Sequence, residues 1–145
     1  MQNSVKFNTL ALSICREIND RENEVFVLSN LGETYFHQGN LKNTIDFHFK
    51  ALTIALEIGD RRGEVRNLGK LGEALLVSGR ADQATNFFEQ ALQINREIGD
   101  RIGESSNLNG LGLAYFQLGE MQKAINYSEL ALKIFRETSD RRGEG

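Results

Sequence analysis

The chain has no proline and no tryptophan, one cysteine and two histidines in 145 residues. About seven prolines would be ordinary at this length. Their absence permits long stretches of unbroken backbone hydrogen bonding, the condition of long helices. A single Cys15 excludes an internal disulfide and suits a reducing compartment, the cytoplasm; its expected role is a small apolar filler on a helix. No run of about 18 apolar residues exists, which argues against a helical membrane span. The polar opening of residues 1–10 does not have the pattern of a signal peptide. Seventeen Lys and Arg against 20 Asp and Glu give a net charge of −3, so the basic footprint of a nucleic-acid binder is missing.

Chemistry is scarce too. His37 and His48 stand eleven apart with no Asp, Glu, Cys or His at metal-ligand spacing. His48 fills a slot usually buried and aromatic, and reads as a tolerated core or half-buried residue. The stretch from Gly63 to Lys70 fails as a phosphate loop, because its glycines are wrongly spaced and no strand precedes it. No Ser-His-Asp or Cys-His arrangement can be assembled. The expectation is a protein without catalysis, metal or cofactor.

What the chain does have is a 40-residue period. Ala11-Leu12-Ser13-Ile14 recurs as Ala51-Leu52-Thr53-Ile54, Ala91-Leu92-Gln93-Ile94 and Ala131-Leu132-Lys133-Ile134. Glu57-Ile58-Gly59-Asp60-Arg61 recurs as Glu97-Ile98-Gly99-Asp100-Arg101, with variants at residues 17–21 and 137–141. Leu31-Gly32, Leu71-Gly72 and Leu111-Gly112 keep the frame, as do Gly39, Gly79 and Gly119. Each unit reads as two amphipathic helices. Val25, Leu28, Leu31 and Tyr35 fall at helical spacing in one; Leu41, Ile45, Leu52 and Ala55 do so in the other. Gly39 and Gly59 end them, and Asp20, Asp60, Asp100 and Asp140 each sit as the N-cap of the next helix. Gly32, Gly72 and Gly112 lie mid-helix, where glycine costs about 1 kcal/mol relative to alanine. Such a recurring cost predicts a neighbour passing too close for a Cβ.

The third unit, with Leu108, Leu111-Gly112, Tyr115, Gly119, Ala124, Tyr127 and Ala131-Leu132, resembles the tetratricopeptide repeat. Its longer period and Gly-Asp-Arg junction are similar to the variant of kinesin light chain, Pins-type adaptors and bacterial multidomain signalling proteins. The resemblance implies an all-α, right-handed solenoid of antiparallel helix pairs, seven helices in all. Residues 1–20 match a lone second helix; 21–60, 61–100 and 101–140 are full units; 141–145 start another. Such boundaries are expected of a piece of a longer array, one that positions or regulates attached domains or associates with itself through helices 1–18 and 122–138.

The resemblance also implies a concave groove, lined by the first helix of each pair, that binds a protein or peptide. Its residues would be Phe26, Asn30, Glu33, Phe36 and His37, then Arg66, Lys70 and Glu73, then Asn109, Leu113, Phe116 and Gln117; the same resemblance adds Ser29, Gly69, Leu76, Val77, Ser106 and Gly110. Arg66 and Lys70 share one helix face and with Asn30 match part of the family's carboxylate clamp, so an acidic C-terminus is one expected ligand. The opposing expectation is that Glu33 and Glu73 neutralise those cations. Nucleic-acid and membrane partners are not expected.

Overall fold

The computed structural model of the chain describes residues 2–144. Among them there are seven helices and no strand: α1 (Gln2–Glu17), α2 (Arg21–His37), α3 (Leu41–Ile58), α4 (Arg61–Val77), α5 (Ala81–Ile98), α6 (Arg101–Gln117) and α7 (Met121–Glu144). Connections of two or three residues force consecutive helices to run antiparallel. No described helix is long and apolar enough to cross a membrane.

The joints are built by local chemistry. Gly59 and Gly99 sit at φ +72° and +74°, a left-handed conformation in which a Cβ meets the following carbonyl. Asp60 and Asp100 then accept from the backbone N–H of Gly63 and Gly103, each at 2.9 Å, satisfying helix-start donors that otherwise lack partners. Asn19 makes the same reversal at φ +56°, and Asp20 accepts from Asn23 N–H at 3.2 Å; asparagine is among the few residues that tolerate this region.

Ser139 does not. The repeat predicts a fourth stop at Ser139-Asp140, but α7 runs through both and reaches 24 residues, against 18 in α3 and α5. Serine carries a Cβ and lacks the tolerance of asparagine, so the right-handed helix continues and Asp140 caps nothing.

The chain divides into two compact units, the boundary falling between Ala74 and Leu75 within α4. In the first unit Leu12, Cys15, Val25, Val27, Leu28, Leu31, Ala51, Ile54 and Ala55 form one core. Tyr35 stacks on Phe47 at its margin, centroids 5.5 Å apart. In the second, Phe88, Leu92, Ile94, Leu108, Leu111 and Ala114 are buried, and Tyr115 stacks on Tyr127 in the same way. Burial of these stripes against neighbouring helices, rather than helix propensity, holds such short helices in place.

Charges at the joints are structural. Arg61 is exposed and pairs with Glu64 at 3.2 Å. At the equivalent positions, Glu24 and Glu104 are buried. Glu24 is held by Arg16 at 3.8 Å and Arg21 at 3.2 Å, and Glu104 by Arg96 at 3.2 Å and Arg101 at 3.0 Å. Arg21 and Arg101 reach onward to Glu57 and Glu137 on the second helix of their own pair. A buried carboxylate persists only with such partners.

One buried amide has none. Asn95, 1% exposed on α5, finds no partner among the described residues for either side-chain polar atom, while the position one repeat earlier holds fully buried Ala55. Asn95→Ala should therefore raise stability by about 1 kcal/mol, the lost desolvation penalty exceeding the lost packing. A lower melting temperature for the variant would contradict this account.

Candidate functional site

In the first unit the expected binding residues lie on α2 and on the part of α4 that belongs to that unit. Phe26 is 51% exposed, and the Arg66 guanidinium lies over its ring at 5.7 Å, within the range of a cation–π contact. Among the described residues Arg66 makes no ion pair. Lys70 behaves differently. Its ammonium lies 3.1 Å from Glu33 and 3.7 Å from Glu73. Partial burial alone would lower its pKa, but the carboxylates of Glu73 and Glu33 outweigh this and hold it above its ordinary value. The neutralising arrangement thus exists for Lys70, and a carboxylate ligand would have to displace two carboxylates already there.

Beside this ion cluster Glu33, Phe36, His37, His48, Lys70 and Glu73 enclose a cavity of about 130 Å3. His48 forms its floor. It is 1% exposed, and its Nδ1 is 2.8 Å from Asn67 Oδ1. Asn67 donates its amide N–H to the Gly63 carbonyl at 2.8 Å, which leaves Oδ1 as acceptor and assigns the donating proton to Nδ1 of His48. Burial lowers the His48 pKa; the Asn67 bond and Glu33 oppose this, and Lys70 adds to it. The opposite edge of the ring lies against Gly32, where a Cβ would come within 2.7–2.9 Å of three ring atoms. The close neighbour expected of the mid-helix glycines is, here, the histidine ring.

Asn30 is half-buried on the same face of α2, and His37 is exposed at its end, edge-on to Phe36 with centroids 6.0 Å apart. Ser29 is not part of the surface: it is 3% exposed, turned inward where the register placed it outward.

In the second unit Asn109 is exposed on α6. Leu113 and Phe116 are 50% and 59% exposed and line an apolar groove of about 340 Å3 between α6 and α7. Gln117 is exposed but committed, donating Nε2–H to the Leu76 carbonyl at 3.2 Å. Leu76 and Gly110 are buried, so neither offers a binding surface. A Cβ at Gly110 would meet the Phe88 ring at 2.5–2.8 Å. Position 110, which is Asn30 and Lys70 in the two earlier units, has no room for a side chain here because an aromatic ring of α5 occupies the space. At Gly112 the nearest atom is Ser128 Oγ, at 2.6 Å. The sequence signal for these differences was present in the paired identities 48/70 and 88/110: His faces Lys, and Phe faces Gly.

A profile described as tetratricopeptide repeat matches residues 23–97 and again 64–137. No curated protein matches the chain. Among solved structures, the TPR domain of Arabidopsis FLU superposes with a TM-score of 0.77 at 18% identity, covering 81% of this chain and 98% of that one. BtubC (BKLC) from P. vanneervenii gives 0.84 at 21%, covering 93% of this chain but 56% of its own. The nearly identical TPR-like repeats of a putative kinesin light chain from Podosopora anserina give 0.72 at 17%, covering 94% of this chain and 68% of that one. At these identities the likeness is one of fold: an all-α helical-repeat solenoid.

Proposed function

Because the chain belongs to the tetratricopeptide repeat family, whose fold typically mediates protein–protein interaction, we propose that it is a non-catalytic scaffold. Its first unit binds a peptide segment through the α2–α4 face. The observation that carries this reading is Phe26. A half-exposed aromatic ring under a guanidinium without an ion pair contributes little to the core. Aromatic and arginine side chains of this kind are the ones that anchor interfaces. Asn30, with both donor and acceptor, orients a backbone laid across it. Since Lys70 is neutralised within the protein, the preferred ligand presents an apolar or aromatic side chain to Phe26 rather than a terminal carboxylate to Lys70.

Selection of peptides from a random library on the immobilised chain, with calorimetry on the selected ones, tests this. Phe26→Ala and Arg66→Ala should each weaken selected peptides at least about tenfold, the scale of a hot-spot residue, with helicity unchanged. Peptides that bind both variants as tightly as the parent would place the binding surface elsewhere.

A further inference from the structure

The groove between α6 and α7 has counterparts one and two repeats earlier, and both are filled. Positions 48 and 52 are 1% and 8% exposed, where α4 supplies Asn67 to His48 and Lys70 to Glu33. Positions 88 and 92 are 2% and 6% exposed, and α6 brings Gly110 against Phe88. At the third pair Ser128 is exposed and Leu132 is 47% exposed. The groove is therefore shaped for a helix. Leu113, Phe116, Met121, Ile125 and Leu132 make it apolar, with Glu129 at its edge.

The same chain carries an unpartnered helical stripe of matching kind. Phe7, Leu10, Ile14 and Ile18 are 71%, 63%, 49% and 66% exposed, on α1 and the residue just after it. The equivalents of Ile14, Ile54 and Ile94, are buried. Phe7 and Ile18 lie 11 positions apart, as do Met121 and Leu132, about 16 Å along a helix. Lys6 flanks the stripe and Glu129 the groove, and among the described residues neither makes an ion pair. Nine large side chains, most about half exposed, amount to on the order of 1,000 Å2 of apolar surface, enough for specific association once their polar rims are added.

We infer that the α6–α7 groove of one molecule receives α1 of a second copy, in a head-to-tail contact. Such a contact joins two different surfaces, so it leaves one of each free and grows beyond a dimer unless the rotation closes a ring. Lys6 of one copy then faces Glu129 of the next.

Sedimentation of the 145-residue chain and two variants tests the contact. The wild type should rise from 16.3 kDa to at least twice that mass with concentration. Phe7→Ser/Ile14→Ser removes the stripe and Ile125→Ser/Leu132→Ser the groove; all four side chains are exposed, so circular dichroism should show the fold kept. Each variant alone should be monomeric, and an equimolar mixture should recover a dimer and nothing larger. A wild type that stays monomeric into the hundreds of micromolar overturns the inference. A stripe variant that still dimerises also overturns it, by making the contact groove-to-groove, and so does a mixture that fails to complement. None of these results bears on peptide binding at Phe26, which neither variant touches.

Discussion

Gly110→Ala should destabilise the protein by about 2–3 kcal/mol, although alanine is the better helix former by about 1 kcal/mol. The new methyl would sit 2.5–2.8 Å from three atoms of the Phe88 ring. That ring is 2% exposed and has nowhere to swing, so relief must come from shifting α6 against α5, at the cost of overpacking a dense interior. Urea unfolding of Gly110→Ala, alone and with Phe88→Leu, separates strain from propensity. With the smaller leucine in place, the added methyl should become neutral or mildly stabilising. Destabilisation of the same size in both backgrounds would mean that Phe88 is not the obstacle.

Asn67→Ala should cost about 2 kcal/mol, because it leaves the buried Nδ1–H of His48 without its 2.8 Å acceptor and deletes the amide bond to the Gly63 carbonyl. The same histidine makes stability pH-dependent. Its folded pKa lies below the ordinary value of 6.5 because burial disfavours the imidazolium. The unfolded chain therefore binds the proton more readily, and stability rises with pH. The contribution is complete above the unfolded value near 6.5 and is lost as pH falls from there towards the folded pKa. Glu33 and the Asn67 bond moderate this loss, whereas Lys70 deepens it. NMR titration of the His48 ring should give a midpoint below 6.5 alongside a falling melting temperature; a midpoint at or above that value excludes the mechanism.

The helices and their joints were legible because each is specified by a few neighbouring residues. The left-handed residue before each working Asp cap (Asn19, Gly59, Gly99), the caps themselves and the apolar stripes all operate within one or two turns. The same local rule explains the miss at Ser139: a cap residue without a left-handed residue before it does not stop a helix. His48 could be read as a core residue from the slot it fills. The site was less legible because its state depends on pairs far apart in sequence. Whether Lys70 is free depends on Glu33, 37 positions earlier. That position 110 must be glycine depends on residue 88 across two helices. The burial of Glu24 and Glu104 rests likewise on partners, Arg16/Arg96, Arg21/Arg101 and Glu57/Glu137, which recur at the same 80-residue offset. Periodic charge was the available signal.

The cross-helix pairs Arg21–Glu57 and Arg101–Glu137 both join residues 36 apart, and the Asp caps recur every 40. Partners are thus assigned by register along the chain rather than by unique identity. Excising or duplicating 40 consecutive residues brings an equivalent arginine, glutamate or Asp cap to each of these addresses, whereas a shorter insertion displaces every pairing that spans it. An array spelled this way gains and loses length in whole repeats.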